Sequence, residues 1–399
     1  MSVAEPLVYI IAGEPSGDLL GGSLMAALRA RTGDAIRFAG IGGPKMVEQG
    51  LTSLFPMTEL AVFGLAEILP KIPHLKRRGE ETVADIARLA PDALVTIDAP
   101  GFALRVSERV VPLGVPRIHY VAPSVWAWKP GRAAKIAKYL NHLMALLPFE
   151  PPYFTKEGLP CTFVGHPAIE GRAGTGDGAA FLVRHEIDPD RRVVVMLPGS
   201  RTGEIDRMLP VFVEALRRLQ TGREPFTVVV PVPAYLADKV RAGLSKSGID
   251  WVLIEGDAEK FDAFAAAEVA LAKSGTVTLE LALSGVPTVI AYKINRLTHF
   301  IAVRMTFGRY AGLPNVILDR PLMPELLQYD CTPERLVAEL AKLLDDPAAR
   351  RAQLDGGREI RRLLSPEGMT PSEAAADVVL GVLNQRLEIG RKSRLVGPV

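Results

Sequence analysis

The sequence predicts an α/β chain made of two doubly wound parallel sheets, and three observations carry the prediction. Short, apolar, β-rich runs recur along the 399 residues, helix-length amphipathic stretches separate them, and one segment near the middle breaks the pattern. Runs that are apolar on both faces and alternate with helices mark parallel strands covered on both sides. The length exceeds what one core comfortably serves, so two Rossmann-like domains are expected.

In order along the chain, LVYIIA, IRFAGI, ALVTID, IHYVA and HLMALL read as the strands of a first sheet, and VVVML, FTVVVP, WVLI, VALA and TVIAY as those of a second. The break is EGRAGTGDGAA, 170–180, which lacks large apolar residues and reads as the linker. The expected domains are therefore 1–170 and 171–364. Residues 365–399 open with a turn, then a helix starting at Thr370 or Ser372, where Pro371 and Glu373 suit a first turn, and end in a basic tail. That helix is expected to pack back on the first domain or on a partner subunit.

Charge and cysteine content narrow the classes. Forty-seven basic against forty-five acidic residues leave a formal charge of +2, which gives no support to a nucleic-acid partner. Cys161 and Cys331 have no zinc or disulfide spacing and read as two thiols in a reducing compartment. The N-terminus lacks the basic region and apolar length of a signal peptide, and no apolar stretch is long enough to span a bilayer, so a cytoplasmic protein, free or on a membrane surface, is expected.

In open parallel sheets ligands gather beyond the carboxyl ends of the strands, so the loops there hold the candidates. Residues 13–22, GEPSGDLLGG, read as a glycine-rich strand-to-helix loop of the kind that cradles phosphate, yet it contains Glu14 and Asp18, which would repel one. In the second half, VVVMLPGSRTGEI runs from a strand through Gly199, Ser200 and Arg201 into a helix, and LAKSGTVTLELALSGVP repeats the plan with Lys273, Ser274, Gly275 and Thr276. Backbone N–H groups, close-approach glycines and cations at two helix starts suit a nucleotide diphosphate. Glu280, four residues after Thr276, lies one turn into its helix, where a carboxylate can accept from both ribose hydroxyls or merely complement the helix dipole.

Nucleotide-sugar enzymes often hold the diphosphate through a metal bound by an Asp-x-Asp pair. Here the only such string, Asp188-Pro189-Asp190, precedes its strand, and His74, His119, His142, His166, His185 and His299 show no ligand spacing, so no metal is expected. Arg201, Lys273 and the two helix dipoles would meet the leaving-group charge instead. In the first half Asp98 ends ALVTI, placed either to act as a base or to cap the next helix. YVAPSVWAWKPGR carries Trp126 and Trp128, which read equally as sugar- or lipid-facing rings and as loop anchors. In 55–81 apolar residues precede Lys71, Lys76, Arg77 and Arg78, an interfacial pattern or a buried helix with a solvated basic end.

Taken together, AGEPSGDLLGG, TIDAPGF, YVAPSVWAWKPGR, FVGHP, LPGSR, KSGTVTLELAL and PNVILDRPLMPELLQ, in this order and spacing over about residues 7–345, resemble the lipid-A-disaccharide synthase family of bacterial glycosyltransferases. The resemblance implies a GT-B fold, two Rossmann-like domains facing a cleft, and no cofactor. It implies inverting transfer of 2,3-diacylglucosamine from UDP to 2,3-diacylglucosamine 1-phosphate (lipid X), giving a β-1,6-linked disaccharide 1-phosphate and UDP. Carried onto this sequence, it makes Asp98 the base or its orienting partner, with Glu14 the competing candidate. Ser200, Arg201, Lys273, Ser274, Gly275 and Thr276 would meet the UDP diphosphate, Glu280 the ribose, and Asn315 with Gln328 the rest of the donor. Ser16, Asp18, Trp126 and Trp128 fall to the acceptor side.

The resemblance also implies peripheral attachment to the cytoplasmic face of an anionic inner membrane, since both substrates carry acyl chains. Some members form homodimers by exchanging C-terminal elements, and here the tail diverges after Gly390. Three other readings fit part of the pattern: a UDP-N-acetylglucosamine 2-epimerase with the same two-domain plan, a transferase acting on a polyprenol-linked acceptor, and a non-catalytic UDP-sugar-binding protein that would have no need of Asp98.

Overall fold

The computed structural model describes residues 5–60, 65–295 and 309–395, the side chains of 65–69 and 387–395 excepted. They divide into two compact units, Met1–Pro167 with Leu364–Val399, and Ala168–Leu363. His299 and the end of the basic tail lie outside the described residues.

In the first unit β1 (Leu7–Ala12), β2 (Arg37–Ile41), β3 (Ala93–Ile97), β4 (Arg117–Tyr120), β5 (His142–Ala145) and β6 (Cys161–Phe163) form one parallel sheet in the order β2-β1-β3-β4-β5-β6. Helices α1 (Pro15–Thr32), α2 (Pro44–Glu48), α3 (Leu65–Leu89), α4 (Ala103–Arg109), α5 (Arg132–Ala137) and α6 (Pro152–Thr155) accompany it. Every residue of β1 and β3 is buried, as a strand covered on both faces must be. In the second unit β7 (Arg192–Leu197), β8 (Phe226–Val232), β9 (Trp251–Glu255), β10 (Val269–Lys273), β11 (Thr288–Tyr292) and β12 (Glu325–Leu327) form a second parallel sheet, ordered β12-β11-β10-β7-β8-β9. Its helices include α7 (Gly178–Arg184), α8 (Thr202–Gln220), α9 (Ala237–Leu244), α10 (Lys260–Ala266) and α11 (Val277–Leu283).

All ten apolar runs of the sequence are strands, and the two that the pattern does not announce are the edge strands β6 and β12, Cys-Thr-Phe and Glu-Leu-Leu, each three residues long. Such segments are too short and too mixed in polarity to show a period. The helix Pro371–Leu395 opens with a capping box: the Thr370 N–H donates to Glu373 Oε2 at 2.8 Å and the Glu373 N–H to Thr370 Oγ1 at 3.3 Å. Its Ala375, Val379 and Leu383 join the core of the first unit, and Arg386 donates to the carbonyls of Pro91 and Asp92, both at 2.8 Å.

Two sequence expectations are corrected by packing. The segment 170–180 is not a free linker but lies within the second unit. There the Asp177 carboxylate caps α7 through the Ala180 N–H at 2.9 Å, and a Cβ at Gly176 would stand 2.0 Å from the Phe261 carbonyl oxygen. Its small residues permit contact with α10 rather than flexibility. GEPSGDLLGG likewise is mostly helix: α1 begins at Pro15, directly after β1. A Cβ at Gly21 would lie 2.5 Å from Met46 Sδ and one at Gly22 2.9 Å from the Lys45 carbonyl oxygen, so these glycines let α2 approach α1.

Asp18 completes that contact. It is 3% exposed, and its carboxylate accepts the N–H groups of Gly43 at 2.8 Å, Lys45 at 2.9 Å and Met46 at 3.1 Å, the orphan donors at the start of α2. The negative charge inside the glycine run is thus a helix cap delivered from a neighbouring helix, not a group facing an acceptor. Replacing it by alanine leaves three amides without acceptors, so Asp18→Ala should destabilise the first unit by about 2–4 kcal/mol. Denaturant unfolding followed by tryptophan fluorescence measures this, and a loss below half a kilocalorie would refute the capping role.

Candidate functional site

The second unit contains a cavity of about 630 Å³ at the carboxyl ends of β7, β8 and β10. Leu197, Gly199, Ser200 and Arg201 line one side, Lys273, Gly275, Thr276 and Glu280 another, with Pro231–Pro233 and Lys260 between them. Adjacent strands bring the two sequence motifs together: β7 pairs with β10, with Leu197 opposite Ala272. Gly199 has φ +133°, which a side chain would strain, and a Cβ there would stand 2.6 Å from the Glu204 Cβ.

Behind this wall lies a carboxylate that the sequence reading overlooked. Glu204, in the first turn of α8, is 3% exposed; its Oε2 accepts the Ser200 N–H at 2.9 Å, and its Oε1 lies 3.0 Å from Lys273 Nζ and 3.3 Å from Arg201 Nη1. Burial pushes its pKa up, but the Ser200 amide, Lys273 and Arg201 outweigh that and hold the carboxyl below its ordinary range. Lys273 Nζ also sits 4.8 Å from the centroid of the Tyr292 ring. A signal for Glu204 existed: it stands next to Ile205 on the face that α8 buries, where an acid needs partners.

At the other end of the cavity Lys260 Nζ lies 3.0 Å from Glu280 Oε2 and 3.1 Å from Asp257 Oδ1. Burial opposes the ammonium charge, yet the two acids prevail and raise the Lys260 pKa. Glu280 is therefore aimed by a lysine as well as by its helix position. The Tyr235 hydroxyl donates to the Ser200 carbonyl from the loop after β8.

Three donor-side candidates have other work. Ser274 is buried and its hydroxyl donates to the Ala311 carbonyl at 2.7 Å. Asn315, 1% exposed, donates to Met323 O at 2.8 Å and Glu325 Oε1 at 2.7 Å and accepts the Met323 N–H at 2.8 Å, which commits its amide to shaping its own loop. Gln328 Oε1 accepts the Ile294 N–H at 3.2 Å, while its buried Nε2 has no partner among the described residues. None of the three lines the cavity.

In the first unit β1 pairs with β3, Ala12 opposite Ile97, which brings the Glu14 and Asp98 loops side by side; a Cβ at Gly13 would come 2.8 Å from the Ala99 Cβ. Glu14 is half-buried at the N-cap position of α1 without a capping hydrogen bond from its side chain, and Ser16 is exposed. Asp98 and Ala99 both have positive φ, 46° and 43°, so the strand ends in a tight left-handed turn. The cap of α4 is Phe102, which removes the helix-capping reading of Asp98. Burial raises the pKa of Asp98, opposed by the Ala99 N–H.

The next loop is anchored from below. Trp126 Nε1 donates to Glu150 Oε1 at 3.2 Å and its ring meets Phe149 edge-on at 5.5 Å, so Trp126 is a packed anchor. Trp128 is 38% exposed, with Lys129 Nζ 4.2 Å from its ring centroid. Glu150 itself is buried and also accepts the Leu147 N–H at 3.1 Å; burial lifts its carboxyl to about 7 against those hydrogen bonds.

In the 55–81 stretch, residues 61–64 and the side chains of 61–69 lie outside the described residues. Lys71, Ile72, Lys76 and Arg77 are exposed along α3. Arg78 is not part of that basic face: its guanidinium binds Glu59 twice at 2.7 Å and Glu81 at 2.6 Å, over the Phe55 ring. Asp188 and Asp190 sit in the turn before β7, where the Asp190 N–H donates to Asp188 Oδ1 at 3.0 Å. Among the described residues no three His, Cys, Asp or Glu side chains are grouped to hold a metal, and no helix is long and apolar enough to cross a membrane.

Residues 8–379 match the family model described as lipid-A-disaccharide synthetase. The chain belongs to the lipid-A-disaccharide synthase family. A curated relative of that name from Rhodospirillum centenum is 51% identical over 98% of both chains, and one from Granulibacter bethesdensis is 44% identical over 96% of this chain and all of its own. Among solved structures, calicheamicin glycosyltransferase CalG4 superposes with a TM-score of 0.60 at 16% identity, covering 99% of this chain and 100% of its own. The UDP-GlcNAc 2-epimerase from Neisseria meningitidis, bound to UDP-GlcNAc, gives 0.61 at 10% identity, covering 95% and 100%. At such identities the likeness is one of fold, and the fold is GT-B. The protein is thus a glycosyltransferase of the lipid A family.

The Glu150 carboxyl provides a pH test of the Trp126 anchor. A carboxyl whose folded pKa lies above its ordinary 4.5 binds its proton more tightly when folded, so its contribution is greatest below pH 4.5 and is lost as pH rises through about 7. The first unit should lose up to about 3 kcal/mol over that window. Glu150→Gln should flatten the slope in tryptophan-monitored unfolding; identical slopes in both proteins would contradict this account.

Proposed function

We propose that this glycosyltransferase moves 2,3-diacylglucosamine from UDP-2,3-diacylglucosamine to 2,3-diacylglucosamine 1-phosphate with inversion, forming the β-1,6 disaccharide 1-phosphate and UDP. The observation that carries the reading is the cavity of the second unit, which sets Arg201 and Lys273 beside Gly199 and Ser200 and sets Glu280 with Lys260 across from them. Cations at one side suit a diphosphate, and a carboxylate held by a lysine suits a ribose diol. A volume of about 630 Å³ is of the size that buries a nucleotide.

Inversion needs the acceptor 6-hydroxyl to attack the anomeric carbon in line as the bond to UDP breaks, with a base taking the hydroxyl proton. Asp98 is our candidate. Its raised pKa makes it a stronger base than a solvated aspartate, and its strained turn fixes where it points. Glu14, beside it, is the alternative base or an orienting partner. The charge that develops on the departing diphosphate would be met by Arg201 and Lys273, so we expect transfer without added divalent metal. Trp128 on its exposed loop and Ser16 remain on the acceptor side of the proposal. We assign the protein to the cytoplasmic face of the inner membrane, with Lys71, Ile72, Lys76 and Arg77 of α3 toward anionic lipid.

The test incubates purified protein with both acylated substrates in the presence of chelator and detects the disaccharide by mass spectrometry. Folded protein that yields no disaccharide rejects the proposal. Asp98→Ala should lower turnover by roughly a hundredfold or more while leaving UDP affinity within a few-fold. Collapse of UDP binding with turnover preserved at saturating donor would mean that the roles of the two units are reversed.

A further inference from the structure

An anion-binding cradle that contains its own buried anion demands an explanation. Glu204 faces the same three donors that a diphosphate would use: the Lys273 ammonium, the Arg201 guanidinium and the Ser200 N–H. A carboxylate so placed lowers the cradle's formal charge from +2 to +1 and repels a neighbouring phosphate, because unit charges a few ångströms apart interact strongly in a partly desolvated site. Simple positioning of Lys273 would not need a full charge, since the Tyr292 ring already flanks the ammonium at 4.8 Å.

We propose that Glu204 is the internal counter-ion of the donor cradle: it pairs with Lys273 while the cradle is empty, competes with the diphosphate for that ammonium, and so limits how tightly UDP is retained after transfer. This rests on the reading of the cavity as the diphosphate site. Two features fit an exchange of partners rather than a static bridge. Lys273 lines the cavity while Glu204 lies behind it, so the ammonium can turn from one anion to the other without moving the backbone. Arg201, whose side chain is 64% exposed, makes the longer contact at 3.3 Å and is the less firmly held of the two cations.

The sign of the effect separates this role from a structural one. Losing a merely structural carboxylate would loosen the Ser200 turn and weaken UDP. Losing a competing one leaves the cradle at +2, so Glu204→Gln should bind UDP roughly tenfold more tightly, with a steeper dependence on salt, and should turn over more slowly where release is limiting. Calorimetric titration of UDP into wild-type and variant protein at two ionic strengths reads this directly; unchanged or weaker binding in Glu204→Gln overturns the proposal. Should that variant not fold, Glu204→Asp, which draws the carboxylate back from Lys273 by one methylene, gives a second comparison in which the weakened competitor must tighten UDP, and failure to do so refutes the role. If UDP does not bind wild-type protein, or binds Arg201→Ala and Lys273→Met as well as wild type, the diphosphate reading itself has failed and the proposal falls with it. If those two weaken UDP while Glu204→Gln does not tighten it, only the counter-ion role has failed.

Discussion

Each sheet reverses its direction of growth once, and that reversal is the constraint on which the rest of the molecule depends. In the first unit the chain runs from β1 outward to β2 and returns to the other side of β1 at β3. In the second it runs from β7 through β8 to β9 and returns to the other side of β7 at β10. Loops after two such strands diverge to opposite faces and leave a crevice at the carboxyl edge, because the helices that follow them cannot both fill it. Glu14 and Asp98 stand at the first crevice, and Arg201 and Lys273 at the second. Neither pair is close in sequence, and both are brought together by parallel pairing alone, Ala12 with Ile97 and Leu197 with Ala272.

The two crevices carry opposite chemistry because their loops turn differently. In the second unit Gly199 has φ +133° and the strand runs almost directly into α8, whose start presents Arg201 to the cavity beside Lys273 at the end of β10. In the first, β3 ends in consecutive positive φ values at Asp98 and Ala99, and β4 is followed by Val121 at φ +80°, an unfavourable conformation for a β-branched residue. Strain of this kind persists only where the surroundings over-determine it. Here the Asp98 N–H donates to the Tyr120 carbonyl at 3.0 Å and the Val121 N–H to the Met144 carbonyl at 3.1 Å, so the turns are pinned by the next strand in each case.

The architecture was legible in the sequence because burial on both faces leaves a plain mark: ten short, mainly apolar runs are ten strands. The cavity-lining residues Ser200, Arg201, Lys273, Gly275, Thr276 and Glu280 were legible for a related reason, since a strand end followed at once by glycine, serine and a cation has few other uses. What misled was glycine. Gly17, Gly21 and Gly22 look like loop residues, yet they are helical and small because the sheet and α2 press on α1. Gly176 and Gly178 look like a linker for the same reason. Composition reports that a side chain is missing, not whether freedom or close contact is the cause. Asp18, Asn315 and Ser274 misled in a similar way, because a polar residue in a functional motif can serve the backbone that displays the function. Glu204 and Glu150 went unread because one decisive partner of each, Lys273 and Trp126, is distant in sequence, and the nearer ones lie in turns without a period.

How each carboxylate is satisfied orders the acids by what remains for them to do. Asp18 receives three backbone amides, which is close to all that a buried carboxylate can use, and it holds a helix. Glu204 receives one amide and two cations, and its charge is fully countered until another anion claims a partner. Glu150 receives an indole and an amide and, with less compensation, is pushed to about 7. Asp98 is countered least: among the described residues the Ala99 N–H is the one donor that opposes its burial. A carboxyl with raised proton affinity and unused lone pairs, on a turn it cannot leave, is the one best prepared to accept a proton from a substrate hydroxyl. That shortage of partners, more than its place at a strand end, is what favours Asp98 over Asp18, Glu204 and Glu150 as our proposed base.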